Sequence, residues 1–283
     1  MESSLPSTQI LDYGESAERK NEAKNYNEVM YALPKVKGLR GNDYYLYQGF
    51  WYSSFFLEGL MSVQEHFNPQ STDIILASSP KTGTTWLKAL TFAILTRSRL
   101  SGSTYSSLLT KMPHDCVPFL EFHLAQNPSN RDLAIPLLST HGRKGCFCFF
   151  VVLFSAHQMS ENVEPLPLEE AFEMFCNGIS ILGPYWDHVL GYWRASLEFP
   201  EKILFLTYEE MKKDTAAHVK KLAEFMGCSF TLEEEEGRGG AKDNKHVKGE
   251  IGDWANHMTP EMGARLDDIM EQKLKGSGLK LPR

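Results

Sequence analysis

Ile74-Ile75-Leu76-Ala77-Ser78-Ser79-Pro80-Lys81-Thr82-Gly83-Thr84-Thr85-Trp86 decides the fold of this chain. The apolar run Ile74 to Ala77 reads as a buried strand. Leu87, Leu90, Ala93 and Ile94 then recur at helical spacing. A loop with one Lys, one Gly and three Thr therefore joins a strand to a helix. Backbone N–H groups, three hydroxyls and the Lys81 ammonium are expected to converge there, and the helix N-terminus adds partial positive charge. The expected occupant is a tetrahedral oxyanion, phosphate or sulfate. A plain strand-to-helix turn with a Thr cap needs fewer donors than this loop supplies.

The spacing excludes an ordinary kinase or ATPase loop. That motif needs a Gly, four residues, then Gly-Lys-Ser/Thr. Here Lys81 precedes Gly83 and no Lys follows it.

The rest of the chain sets the frame. At 283 residues, one large domain with a substantial core is expected. A net charge of −7 gives no reason to expect nucleic-acid binding or an anionic membrane surface as partner. The longest apolar run, Cys146 to Phe154, is far shorter than the ~20 residues that span a bilayer. Met1 to Pro6 lacks the basic-then-apolar pattern of a leader. Five cysteines without a Cys-x-x-Cys pair favour a reducing compartment and buried thiols at Cys146 and Cys148, and no structural zinc. These readings lead to a cytoplasmic protein.

Strand-like and helix-like runs alternate, so an α/β fold with a mainly parallel sheet is expected. Residues 1–42 are polar and read as a partly ordered N-terminal arm. The aromatic-rich stretch Tyr44 to Tyr52 reads as a hydrophobic cluster covering a sheet edge. Ser101 to Pro118 reads as loop, with His114 a solvated histidine and Phe119 a residue that could face an acceptor. Helices are expected over Leu168–Cys176, Ile179–Arg194, from an Asp214 cap to Met226, and from a Thr259-Pro260 start onward. Ile203 to Leu206 reads as a further buried strand, and Glu233 to Glu236 as a solvated charge run.

Pro80-Lys81-Thr82-Gly83-Thr84-Thr85-Trp86 resembles the phosphosulfate-binding loop of the cytosolic sulfotransferases. Leu138-Ser139-Thr140-His141 resembles the segment that carries that family's catalytic His. Glu164 to Phe172, Gly183 to Val189 and Lys202 to Met211 are similar to its plant branch. Lys248-Gly249 with Gly252-Asp253-Trp254 resembles its C-terminal nucleotide loop. From about Tyr44 onward the chain is identified as a shortened, divergent member of the family.

The resemblance implies one sulfotransferase domain over 43–283, with a central mainly parallel sheet flanked by helices and a P-loop-like phosphosulfate loop. It implies 3′-phosphoadenylyl sulfate as co-substrate, no metal, and a small hydroxylated acceptor of phenolic, flavonoid or steroid type. Sulfuryl transfer needs positioning and charge stabilisation, with attacking and leaving oxygens in line. Lys81 and the N–H groups of Thr82, Gly83, Thr84, Thr85 and Trp86 would stabilise the leaving phosphate, with Thr84 and Thr85 hydroxyls adding donors. Trp86 offers a face for adenine. Tyr208 would contact adenine, and Lys248 and Gly249 match the end of the family's 3′-phosphate clamp. His141, taken alone, reads as a structural residue after a strand. Beside this loop and this resemblance it reads as the general base.

Two departures stand out. The family grips the 3′-phosphate with an Arg and a Ser, whose places fall here on Lys144 and Val152. Lys144 could supply charge but not a bidentate fork, and whether Lys144 or Arg143 replaces the missing Arg is left open. The intervening family strand is either absent or replaced by Phe147 to Phe154. Near the C-terminus a segment between Glu236 and Lys245 is missing, and the clamp Arg has become Val247. The expectation is an intact 5′-phosphosulfate end and a weakened 3′-phosphate end. A non-catalytic relative or a nucleotide-binding module is the alternative. Ala255 and Pro260 depart from the dimer motif of animal members, so the oligomeric state is left open.

Overall fold

The computed structural model describes residues 26–38, 42–80, 82–97, 111–126, 135–142, 149–154, 167–236 and 258–281. Four parallel strands form the main sheet: β4 (Ile74–Ser78), β5 (Leu137–Thr140), β6 (Phe149–Phe154) and β7 (Ile203–Thr207), in the order β5-β4-β6-β7. β4 lies between β5 and β6, with Ile75 opposite Leu138 on one side and Phe150 on the other. All five β4 residues and all four β5 residues are buried, as expected for a parallel sheet covered on both faces, although β5 ends the strand order.

The alternation along β4 divides the core in two. Ile75 and Ala77 join Val63, Leu138, Val189 and Tyr192 in one cluster. Ile74 and Leu76 join Leu87, Leu137, Leu204, Leu206 and Leu222 in the other. Helix α1 (Ser54–His66) and α6 (Tyr185–Glu198) feed the first layer. Helix α2 (Thr84–Thr96), α7 (Tyr208–Lys213) and α8 (Thr215–Phe225) feed the second. Short helices α3 (Pro113–Cys116) and α4 (Leu120–Gln126) lie between α2 and β5, α5 (Leu168–Cys176) precedes α6, and α9 (Leu232–Glu236) and α10 (Pro260–Leu274) complete the order.

Local chemistry sets several of these boundaries. Asp214 caps α8 by accepting from the Ala217 N–H at 3.0 Å, and Gly227 at φ +69° follows its end. Thr259 accepts from the Met262 N–H ahead of Pro260 at the first position of α10.

The question of the missing strand resolves in favour of replacement. Phe149–Phe154 runs between β4 and β7, pairing Ala77 with Val152 and Val152 with Phe205. The β-branched and aromatic composition of the run suits it to a strand.

Three expectations are corrected. Tyr44 to Tyr52 does not cover an edge of the main sheet. It builds its own antiparallel sheet, β1 (Lys35–Lys37), β2 (Asp43–Tyr47) and β3 (Phe50–Ser53), whose two-residue turn has φ 51° at Gln48 and 85° at Gly49. Tyr52 then packs with Met30, Leu57, Leu60 and Met61. The helix expected from Ile179 begins only at Tyr185, because Gly178 and Leu182 take positive φ and Pro184 sits at the N-cap. Pro113–Cys116 is a helical turn within the expected loop, with Asp115 accepting from the Met112 N–H.

One close approach fixes how α1 sits on α4. A Cβ built on Gly59 would lie 2.8 Å from the Glu121 carbonyl oxygen. Backbone cannot move aside as a side chain can, so Gly59→Ala is expected to cost about 1–3 kcal/mol. Calorimetric melting should show a Tm lower by several degrees, at roughly 2–4 °C per kcal/mol for a chain of this size. An unchanged Tm would mean that the two helices are not held at this distance.

Candidate active site

The loop between β4 and α2 is held by its own side chains. Thr82 Oγ1 donates to the Ser79 carbonyl at 2.7 Å, and Thr84 Oγ1 shares a hydrogen bond of 2.7 Å with Ser78 Oγ. Both threonines are buried. The reading that three hydroxyls face one anion is therefore corrected: Thr82 and Thr84 fold the loop, and Thr85 alone of the three is exposed. Gly83 is the N-cap of α2 at φ 95°, a left-handed conformation that a side chain would strain. This conformation brings the first amides of α2 to the loop. Lys81 lies outside the described residues, as do Arg143, Lys144, Val247, Lys248 and Gly249.

His141 follows β5 directly, and β5 is the neighbour of β4. The topology therefore sets its ring beside the start of the loop. His141 Nδ1 lies 2.5 Å from the Ser78 carbonyl oxygen. A carbonyl only accepts, so Nδ1 carries the proton and the lone pair sits on Nε2. Only 7 % of the residue is exposed. Burial above all, then the nearby positive charge of Lys88, lowers its pKa to about 4 against the opposing pull of the Ser78 carbonyl. The ring is thus a neutral imidazole with one fixed tautomer and its lone pair on Nε2, which a general base requires.

Glu121, which the sequence reading passed over, holds the turn that carries His141. Its Oε1 accepts from the Thr140 hydroxyl, from the His141 N–H at 3.2 Å and from the Gly142 N–H at 2.9 Å. Tyr192 on α6 donates to the Gly142 carbonyl at 3.0 Å from the other side. A lone Glu within Phe119-Leu120-Glu121-Phe122 was the available signal, since a carboxylate in an apolar run needs partners when buried.

Lys88 was missed as well. It sits on the buried face of α2 with Thr84, Leu87 and Thr91, and none of its surface is exposed. Its ammonium is 3.3 Å from the Phe119 ring centre and 3.0 Å from His114 Nδ1. Desolvation lowers its pKa to about 7 against the opposing charge of Glu121. His114 is therefore no merely solvated loop histidine: its other nitrogen, Nε2, is 3.1 Å from Thr85 Oγ1, and its ring stacks on Phe119.

Aromatic side chains wall this centre. Phe119 lies 4.5 Å and Phe56 6.2 Å from the His141 ring, and Phe122 packs against Phe55, Phe56 and Phe119. Phe55 is 62 % exposed, which opens this wall to solvent. At the far end Trp86 and Tyr208 meet edge to face at 5.8 Å, both largely buried in the core layer under the loop. Trp86 therefore presents far less of its face than the sequence reading expected.

The comparisons with known proteins agree with this geometry. The family described as "Sulfotransferase domain" matches residues 71–143, 144–239 and 236–278. Its junctions fall at Arg143/Lys144 and around 236–239, where the sequence departs from the family pattern. Cytosolic sulfotransferase 5 of Arabidopsis thaliana is 40 % identical, over 88 % of this chain and 94 % of its own length. Among solved structures, an Arabidopsis thaliana protein described as a steroid sulphotransferase is 32 % identical, with a TM-score of 0.74 over 99 % of this chain and 100 % of its own. A mouse sulfotransferase, SULT7A1, solved with PAP shares the fold at a TM-score of 0.58 and 21 % identity, over 83 % of this chain and 96 % of its own. With a strand, an amide-lined loop and a neutral histidine in this arrangement, and relatives of this closeness, the chain belongs to the sulfotransferase family, in its plant cytosolic branch.

Proposed function

We propose that this protein is a cytosolic enzyme that moves a sulfuryl group from 3′-phosphoadenylyl sulfate to the hydroxyl of a small, flat, aromatic or steroidal acceptor. His141 carries the reading: a buried neutral imidazole, its tautomer fixed by Ser78, stands at the meeting point of the loop and the aromatic wall. In this reading His141 Nε2 takes the proton of the acceptor hydroxyl as that oxygen bonds to sulfur. The S–O bond to the 5′-phosphate breaks, and the leaving oxygen takes the electron pair. Lys81, the Thr85 hydroxyl and the amides from Thr82 to Trp86 stabilise the charge that develops there. Phe55, Phe56, Phe119 and Phe122 supply apolar surface for a ring system and exclude water from the base. Trp86 and Tyr208 border the adenine side.

The test is transfer of radiolabelled sulfate from the donor to a panel of phenols, flavonols and sterols by the full-length chain. Labelled product with a planar acceptor supports the reading. No product with any acceptor, alongside measurable donor binding, favours the non-catalytic relative.

A specific observation supports a reduced grip on the 3′-phosphate. Val152, at the place counted for the family Ser, lies within the central strand β6 and is paired on both sides. A valine supplies no hydroxyl. A hydrogen bond to a charged group contributes ~1.5–3 kcal/mol, so losing two such contacts weakens binding by roughly a hundredfold or more. Calorimetry should find adenosine 3′,5′-bisphosphate binding little better than adenosine 5′-phosphate. A strong preference for the bisphosphate would show that other residues rebuild the clamp.

A further inference from the structure

Lys88 and His114 stand in a line of hydrogen bonds that ends on Thr85, and the transfer chemistry above uses neither Lys88 nor His114. Lys88 Nζ is 3.0 Å from His114 Nδ1, and His114 Nε2 is 3.1 Å from Thr85 Oγ1. The direction of this line follows from donor inventories. An ammonium only donates, so Nδ1 must accept. A neutral imidazole that accepts at Nδ1 carries its proton on Nε2 and donates it to Thr85 Oγ1. A hydroxyl that has accepted keeps its own O–H to give away. Thr85, at the exposed start of α2, gives it toward the loop's oxyanion.

We infer that Lys88 and His114 form a directional relay that makes the Thr85 hydroxyl a donor to the phosphosulfate, with Lys88 the positioning residue that sets its sense. This inference rests on the sulfotransferase reading and assigns a task to groups outside the base and the loop. Without the relay the Thr85 hydroxyl could turn as acceptor as readily as donor, and an acceptor repels an oxyanion. Phe119 joins the relay to the base. Its ring lies under the Lys88 ammonium, stacks on His114 and reaches within 4.5 Å of His141. A change at Lys88 therefore acts next to both partners of the reaction.

The charged and titratable groups around Lys88 are His114 and Asp115 on α3, Glu121 on α4, and His141 after β5, with His188 of α6 beyond it. Glu121 favours the charged lysine. Burial above all, then the charge of Lys88, lowers the pKa of His114 below the usual histidine value. With Lys88 charged, the hydrogen bonds run in one sense. Loss of the Lys88 proton removes the fixed direction, so donor use should fall as pH rises past about 7.

The experiment has two independent arms. In the first, two-bond 1H–15N spectra of the unliganded protein at pH 6.5 report the His114 tautomer, assigned by the signal missing from His114→Gln. Nε2–H is expected, and an Nδ1–H form or an imidazolium would overturn the relay whether or not the protein turns over. In the second, Lys88→Met, Lys88→Arg and His114→Gln are compared for donor KM, acceptor KM and pH profile. Lys88→Met and His114→Gln should raise donor KM about ten- to a hundredfold, the worth of one hydrogen bond to a charged group, with acceptor KM unchanged. Lys88→Arg, which cannot lose its proton, should restore part of the donor affinity and remove the decline above pH 7. Unchanged donor KM and pH profile in both Lys88→Met and His114→Gln would overturn the proposal. A wild-type chain that moves no sulfate would defeat the functional reading and leave the relay to stand or fall on the tautomer.

Discussion

His141→Ala is expected to lower kcat for sulfuryl transfer by about 10²–10⁴-fold, the usual contribution of a positioned general base. Binding of the donor product should be unaffected, because among the described residues the ring's hydrogen bond is to the Ser78 carbonyl at the end of β4 and not to a donor of the loop. The pH profile checks the same assignment from another side. Burial holds His141 near a pKa of about 4, well below the ordinary histidine value. Its lone pair is therefore available throughout the neutral range, and the acid limb of kcat/KM should fall near pH 4. The sign for stability follows. The unfolded chain binds a proton at this position near pH 6.5 and the folded chain only near 4, so His141 lowers stability as pH falls through that window and has no effect above it. An acid limb at the ordinary histidine value would mean that the ring is solvated and positively charged in the free protein.

Glu121→Ala is expected to destabilise the turn that carries His141. The carboxylate satisfies the Thr140 hydroxyl and two backbone N–H groups. The hydroxyl can turn to the Gly142 carbonyl, 3.3 Å away. The Gly142 N–H keeps the Thr140 hydroxyl oxygen, 2.9 Å away, whereas the His141 N–H has no second acceptor among the described residues. At ~1–3 kcal/mol for one orphaned buried donor the loss is about 1–3 kcal/mol. At roughly 2–4 °C per kcal/mol, Tm should fall by about 2–12 °C. Activity should fall with it, because the same turn aims His141. Glu121→Gln separates the two tasks of the side chain. It keeps an oxygen for the three donors, so Tm should stay near the wild-type value. It removes the negative charge that sustains the Lys88 ammonium, so the alkaline decline in donor use should begin at lower pH. Equal melting temperatures for the Ala variant and the wild type would show that the turn is held by other contacts.

The sequence disclosed what depended on local pattern. The run Ile74 to Ala77, the loop and the helix after it were legible because a four-residue apolar run, a Gly and helical periodicity are all short-range signals. The caps at Asp214 and Thr259 were legible for the same reason. The proposal of His141 as base drew on the family pattern, since a His after a strand says nothing about the carbonyl that will fix its tautomer. Ser78 supplies that contact through main chain, which leaves no mark in a side-chain pattern.

Lys88 and Glu121 were illegible for a different reason. Apolar positions alone suggested that α2 buries Leu87, Leu90, Ala93 and Ile94. Leu87 and Ile94 are buried as expected, but the buried face also includes Thr84, Lys88 and Thr91, and Ala93 is exposed. A helix that buries polar groups does so against partners distant in sequence, here His114 and Phe119, and periodicity cannot anticipate them. Thr82 and Thr84 mislead in the opposite sense. Hydroxyls that looked free for a ligand were needed to close the loop on itself.

The main sheet has no hairpin, and this governs the order in which the protein can be assembled. Ile74 meets Phe149, and Phe150 meets Ile203, so each contact of β6 waits on a distant part of the chain. Synthesis proceeds at ~5–20 residues per second, which leaves β6 one-sided for several seconds before β7 emerges. The small N-terminal sheet, built from neighbours in sequence, can close long before. The half of the molecule that carries the histidine turn is therefore the last to become native, and a chain arrested before Thr207 holds a finished hairpin beside an unsealed catalytic centre.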